Sequence, residues 1–173
     1  MKGYVQIYTG NGKGKTTAAI GLAVRAAGAG LKIFIGQFIK MGDYSEIKAL
    51  KERFSDLITL EQFGSGGFIG KKKASPEQIQ AAVKGLDQIK KLMASGEYDV
   101  IICEEVNVAV SLGLITVKDL LELVSSKPEN IEIIFTGRDA DPKIIEVADL
   151  VTEMREIKHY YKAGVKARIG IEK

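Results

Sequence analysis

The sequence predicts an α/β fold: a three-layer α/β/α domain with a mostly parallel sheet. Three observations carry that expectation. Apolar, β-branched segments recur along the chain with helix-like segments between them. These segments are apolar throughout, as strands covered on both faces must be, and Lys32 to Phe38 fits poorly the strict alternation of a half-solvated antiparallel sheet. Each passage between strands is long enough for a crossover helix to return over one face.

Tyr4 to Tyr8 (YVQIY) is the first strand and runs into a glycine cluster. Thr16 to Ala29, rich in Ala and Leu, is a helix that Gly28 and Gly30 stop. Leu31 to Phe38 is the second strand, Ser45 to Phe54 a short helix, and Leu57 to Phe63 the third strand. Gly64 to Ala74 reads as loop and carries Lys71-Lys72-Lys73, a solvated charge run. Ser75 caps a helix to Ala94, with Pro76 at the first helical position, where the missing N–H is harmless. Tyr98 to Cys103 is the most apolar strand. Thr116 opens a helix with Asp119 placed to close a capping box. Ile131 to Phe135 is a strand, Asp141-Pro142 starts a short helix, and Leu150 to Met154 is expected as a last buried strand. No clear period follows Glu156.

At 173 residues the chain is expected to form a single domain over 1–173. A net charge of +3 argues against a dedicated nucleic-acid binder. A single cysteine and a single histidine exclude a disulfide framework, a cysteine-built zinc site and a polyhistidine metal site. No apolar run reaches the roughly 18 residues of a membrane span, and no signal peptide pattern stands at Met1. The expected compartment is the cytoplasm. Cys103 is expected to be a core thiol, and Met41, Met93 and Met154 to be packing residues.

Between the first strand and its helix stands Thr9-Gly10-Asn11-Gly12-Lys13-Gly14-Lys15-Thr16-Thr17. This matches the phosphate loop G-x-x-x-x-G-K-[ST] in the place that motif requires, except that Thr9 stands at its first glycine. Glycines let successive N–H groups point inward as a nest for phosphate oxygens, and the helix presents its positive end to the same anion. Lys15 adds a charge-assisted bond, and the Thr16 hydroxyl can ligate the Mg²⁺ (or Mn²⁺) that accompanies a nucleotide. The architecture expected is therefore of the P-loop NTPase (RecA-like) type. The apolar strand ending in Glu104-Glu105 has the pattern of a Walker B strand, with Glu where most have Asp. Strand alternation sends the two acids to opposite sides. Glu105 is taken as the metal ligand beside Thr16. No N-K-x-D guanine-reading motif is present.

The chain resembles the P-loop ATP:corrinoid adenosyltransferases over nearly its full length. The resemblance is carried by Tyr8 to Ala19, by Glu104-Glu105-Val106-Asn107 against the family's D-E-L-N, by Thr136-Gly137-Arg138, and by Ala148 to Arg155. Most specific is Lys158 to Ile171, similar to the family's K-H-x-x-x-A-G-x-K-A-x-x-G-I. The family shares T-G-x-G-K-G-K-T, so Thr9 is family-like. The resemblance implies transfer of the 5′-deoxyadenosyl group of ATP to the Co(I) of a reduced corrinoid, with triphosphate leaving. It implies ATP held in a sense reversed from ordinary P-loop enzymes, with its γ-phosphate in the nest and no general base. Arg25 and Arg138 are candidate nucleotide contacts, and His159 carries no assigned role. The family's corrinoid loop is similar to G-T-G-F-x-W. Here Gly64-Ser65-Gly66-Gly67-Phe68-Ile69-Gly70 puts Phe68 at the aromatic, lacks the tryptophan and inserts one glycine. That departure motivates the alternative of a P-loop ATPase or kinase that has lost corrinoid binding. Glu104 in place of Asp motivates a third, a binding protein without turnover. The resemblance also implies a homodimer and a flavoprotein reductant.

Overall fold

The computed structural model describes residues 2–65 and 74–173. Six strands form one sheet: β1 (Val5–Thr9), β2 (Ile33–Gln37), β3 (Ile58–Gln62), β4 (Val100–Glu104), β5 (Glu132–Thr136) and β6 (Leu150–Glu153), in the order β3-β2-β4-β5-β1-β6. Every pairing is parallel. The helices are α1 (Lys15–Gly28), α2 (Ser45–Arg53), α3 (Pro76–Ser95), α4 (Val106–Ser111), α5 (Val117–Ser125) and α6 (Pro142–Val147).

Strand parity sorts the core into two layers. Ile33, Ile35, Val100, Ile102 and Ile134 face α1 and α2. Val5, Ile7, Phe34, Ile101, Cys103, Ile133 and Phe135 face α3, α4, α5 and α6. The face that α1 buries is made of Ala19, Ala23, Ala26 and Ala27. Methyl side chains let the helix lie close to β4 and β5, which brings its first turn down onto the end of β4.

The expected caps form. Ser75 accepts from the Gln78 N–H while the Gln78 side chain accepts from the Ser75 N–H, and Thr116 and Asp119 close the same box on α5. Cys103 is fully buried, and burial alone pushes its thiol far above the ordinary range.

Four expectations change. β6 is exposed along its whole length, with Leu150 45 % exposed, because it lies at the sheet edge against β1 alone. Apolar residues there announced a burial that an edge does not supply. Met41 is also exposed, beyond the end of β2, and so is not a packing residue. α4 follows β4 at once, a helix that the run Val106-Asn107-Val108 does not announce; Glu105 at φ 59° turns the chain into it. Beyond Glu156 the chain holds a 3₁₀ turn, Tyr160–Ala163.

Candidate active site at the carboxyl ends of the strands

Four strands end on a buried polar residue: Thr9 on β1, Gln37 on β2, Glu104 on β4 and Thr136 on β5. In an open parallel sheet this is the edge where ligands bind. The loop after β1 lies against the backbone leaving β6. Met154 N–H donates to the Thr9 carbonyl at 2.8 Å, and Gly12 N–H donates to the Met154 carbonyl at 2.6 Å. A Cβ on Gly10 (φ 94°) would lie 2.5 Å from the Met154 oxygen, and one on Gly12 2.7 Å from it. Only glycine permits that approach. Gly14, at φ 123°, then turns the chain into α1.

Lys15 is 7 % exposed. Its ammonium donates to the carbonyls of Gly10 at 2.6 Å and Gly12 at 2.8 Å, bracing the loop from inside. Burial lowers its pKa, and Glu105 pulls it back up.

Glu104 is fully buried, on the face of β4 that looks toward α1. Its Oε1 accepts from the Thr16 hydroxyl at 2.5 Å and from the Lys40 ammonium at 2.8 Å. Its Oε2 is buried with no partner among the described residues. Burial by itself lowers the Lys40 pKa, but the Glu104 charge and hydrogen bond outweigh it, so the net shift is upward and Lys40 stays an ammonium. Glu105 projects into the cleft instead, and its N–H donates to the Thr136 hydroxyl at 3.0 Å. Burial and the neighbouring Glu104 raise the Glu105 pKa.

A cleft of about 670 Å³ opens over this loop, within the usual range for small-molecule sites. Of the residues expected there, Gly12, Lys13, Gly14, Lys15, Thr16, Thr17, Glu105 and Arg138 line it. Thr9, Gly10 and Asn11 do not. Thr9 lies under the loop, where its hydroxyl accepts from Ala140 N–H, and Asn11 is exposed on its outer side. Arg25 is exposed on α1, ten residues beyond Lys15 or about 15 Å along the axis, and does not reach the cleft. Phe68 lies outside the described residues, as does Lys71-Lys72-Lys73. His159 lines the cleft and caps its own 3₁₀ turn, its Nδ1 accepting from Tyr161 N–H at 3.1 Å.

Two parts of the site escaped sequence reasoning. Lys40 sits three residues past β2, in a segment with no motif; only its charge beside a strand end marks it. Glu104 shares the parity of Val100 and Ile102, the β4 residues under α1, so the alternation that separated the two acids also places Glu104 beneath Thr16. The cleft residues able to hold a cation are hard oxygen donors, the Thr16 hydroxyl and the Glu105 carboxylate. No group of three or more His, Cys, Asp or Glu among the described residues could cage a metal. The set fits Mg²⁺, which takes one or two carboxylates and completes its shell with phosphate and water oxygens.

The profile of the family described as ATP:corrinoid adenosyltransferase BtuR/CobO/CobP matches residues 1–172. The chain belongs to the ATP:corrinoid adenosyltransferase family. A corrinoid adenosyltransferase of Pseudomonas aeruginosa is 33 % identical over 171 residues, 99 % of this chain and 84 % of the relative. One from Escherichia coli K12 is 32 % identical over 175 residues, covering 99 % and 86 %. The corrinoid adenosyltransferase CobA of Salmonella typhimurium is 30 % identical over 175 residues, with the same coverage. The P-loop described above is thus the loop of a corrinoid adenosyltransferase family member.

Proposed function

We propose that this protein transfers the 5′-deoxyadenosyl group of ATP to the Co(I) of a reduced corrinoid. The carrying observation is the family match over residues 1–172, and it disfavours an ATPase or kinase that has lost corrinoid binding. In the step, the cobalt of the corrinoid substrate supplies an electron pair to C5′ of the ribose. The Co–C5′ bond forms, the C5′–O5′ bond breaks, and triphosphate leaves with the bonding pair.

The protein's task is to hold that leaving group and keep C5′ in line with cobalt. Gly12 to Lys15 would cradle the triphosphate with the α1 positive end and the N–H groups of Lys13, Gly14 and Lys15, the Gly12 N–H being held by the Met154 carbonyl. Lys15 would give up its loop carbonyls for phosphate oxygens, which its site between Gly10 and Gly12 allows without a change of loop shape. Thr16 and Glu105 would hold Mg²⁺, which when bound neutralises the polyphosphate. The Thr16 proton points at Glu104 and one oxygen lone pair faces the Lys40 ammonium at 3.4 Å, which leaves the other for the cation. Arg138, exposed at the end of β5, would reach the same anion from the opposite wall. No proton changes hands at C5′, so the site needs no general base.

Phe68 is assigned to the corrinoid face, and Arg25 to a nucleotide contact only if α1 is approached from outside the cleft. The reading takes 1–173 as one working domain. It adds a flavoprotein reductant and a homodimer, which rest on the family resemblance, and a cytoplasmic setting, which rests on the single reduced cysteine.

The test is an anaerobic assay with ATP, Mg²⁺ and cob(I)alamin. Loss of the Co(I) absorbance with one triphosphate released per adenosylated corrinoid is expected. ADP and phosphate with unchanged corrinoid would overturn the reading. Phe68→Ala is expected to raise the corrinoid KM and leave ATP binding unchanged.

A further inference from the structure

The Lys40–Glu104 pair has an arrangement that neutralising a buried acid does not require. Glu104 takes both of its hydrogen bonds on Oε1, while buried Oε2 has no partner among the described residues. A buried lone acceptor is costly. In the neighbouring strand, Gln37 stands at the register position beside Glu104, and its Nε2 is likewise buried with no partner among the described residues. An unused amide donor and an unused carboxylate oxygen thus sit on adjacent strands, on the same face of the sheet.

Lys40 is held so that only its head can move. Ile39, a β-branched residue, adopts φ 55°, a conformation that persists where surrounding structure enforces it. A Cβ on Gly64 would lie 2.4 Å from the Lys40 carbonyl, so the chain leaving β3 is packed on this backbone. The Lys40 side chain is 22 % exposed where that of Glu104 is 0 %. Its ammonium lies 3.4 Å from the Thr16 oxygen and lines the cleft with Lys15 and Arg138.

We propose that Lys40 is a second polyphosphate-binding ammonium, which turns from Glu104 to the triphosphate oxygens while the Gln37 amide takes up the carboxylate. This rests on the reading that triphosphate occupies the Gly12–Lys15 cup. An ammonium carries three donors, so Lys40 can serve an anion that Lys15 reaches from the other side. The strand-end amide explains why the acid tolerates losing its cation: the two unused groups complete each other.

The test is calorimetric titration of inorganic tripolyphosphate, without divalent cation, into the wild type and four variants. Lys40→Met alone leaves the buried Glu104 carboxylate without a counter-charge, which a neutral amide does not replace, and is expected to lose stability, so the decisive comparison is Glu104→Gln with Lys40→Met/Glu104→Gln. The double variant removes both charges of the pair, which is commonly tolerated. Glu104→Gln leaves only the Lys40 ammonium, which is 22 % exposed and faces the cleft, so both proteins are expected to unfold near the wild-type temperature. With the carboxylate gone, Lys40→Met is still expected to weaken tripolyphosphate about tenfold, the scale of one charge-assisted bond. Lys40→Arg, which keeps the charge, is expected to bind closer to wild type than Lys40→Met does. Equal affinities of the single and double Glu104 variants would show that Lys40 only neutralises the acid and would overturn the proposal. A wild type that ignores tripolyphosphate would instead overturn the cup reading on which it rests, and this proposal with it.

Discussion

In the cleft wall made by residues 10–17, Gly12 and Lys15 are buried and the loop is hydrogen-bonded to the exit of β6. In the wall made by the tail, residues 160–171 are exposed without interruption. The tail touches the cleft through few bonds: Lys13 Nζ donates to the Ile171 carbonyl at 2.9 Å, and Ser45 Oγ to the Lys173 carbonyl at 3.0 Å. Its own shape comes from a surface clasp in which Arg168 and the Tyr160 hydroxyl both donate to Glu172, with Arg168 over the Tyr160 ring. The two walls teach that a site can be rigid where charge must be met and separable where a substrate must enter. Preorganised donors act without reorganisation, whereas exposed polar contacts are individually weak.

The largest effect is expected from Lys15→Ala. It should cut adenosyl transfer by about 10²-fold, or about 3 kcal/mol, the scale of one well-placed donor, with a smaller loss of unfolding temperature from its two bonds to the loop carbonyls, read by calorimetry. A comparable loss from deleting a tail contact would break the contrast. Gly12→Ala comes next. Its methyl would meet the Met154 carbonyl, so the β6 exit must move, at a cost of about 1–3 kcal/mol by denaturant unfolding and with weakened ATP binding. Thr16→Ala should follow, lowering the response of ATP binding to added Mg²⁺ more than binding without metal, as titrations with and without chelator would read.

The smallest effects belong to the tail. Glu172→Gln should leave the unfolding temperature unchanged but speed protease nicking beyond residue 156. Hydrogen bonds from Arg168 and then Tyr160 hold the Glu172 carboxyl down to about 2. A lowered carboxyl stabilises the clasp above the ordinary glutamate range and loses it as pH falls through its own value. Nicking of the wild type should therefore stay constant from neutral pH into the mildly acidic range and rise only toward about 2. Nicking that rises as pH climbs through neutrality would mean that other groups hold the tail.

The alternation of apolar strands and helices was legible except for α4 and the 3₁₀ turn, because burial on both faces of a parallel sheet leaves little choice of side chain. The capping boxes at Ser75 and Thr116 were legible for a local reason: cap and partner are three residues apart. The glycine-rich loop between β1 and α1 was legible too, since its pattern lies in nine consecutive residues. Lys40 was not, because its meaning depends on Glu104, 64 residues away. Nor was the exposure of β6, since no residue in Leu150 to Glu153 encodes which strand ends up at the edge. Glu105 kept its place in the cleft, but strand alternation was not the cause; the chain leaves the strand at that residue.

The sequence by itself determined the parallel sheet, most helix ends and the glycine-rich loop between β1 and α1, because each follows from forces acting within one turn or one strand. Only the tertiary structure decided that Glu104 receives the Thr16 hydroxyl, that Lys40 joins them, and that Met154 presses on Gly10 and Gly12. Those are meetings of distant segments, fixed by how closely an alanine-faced helix settles on the sheet and by which strand lies beside which.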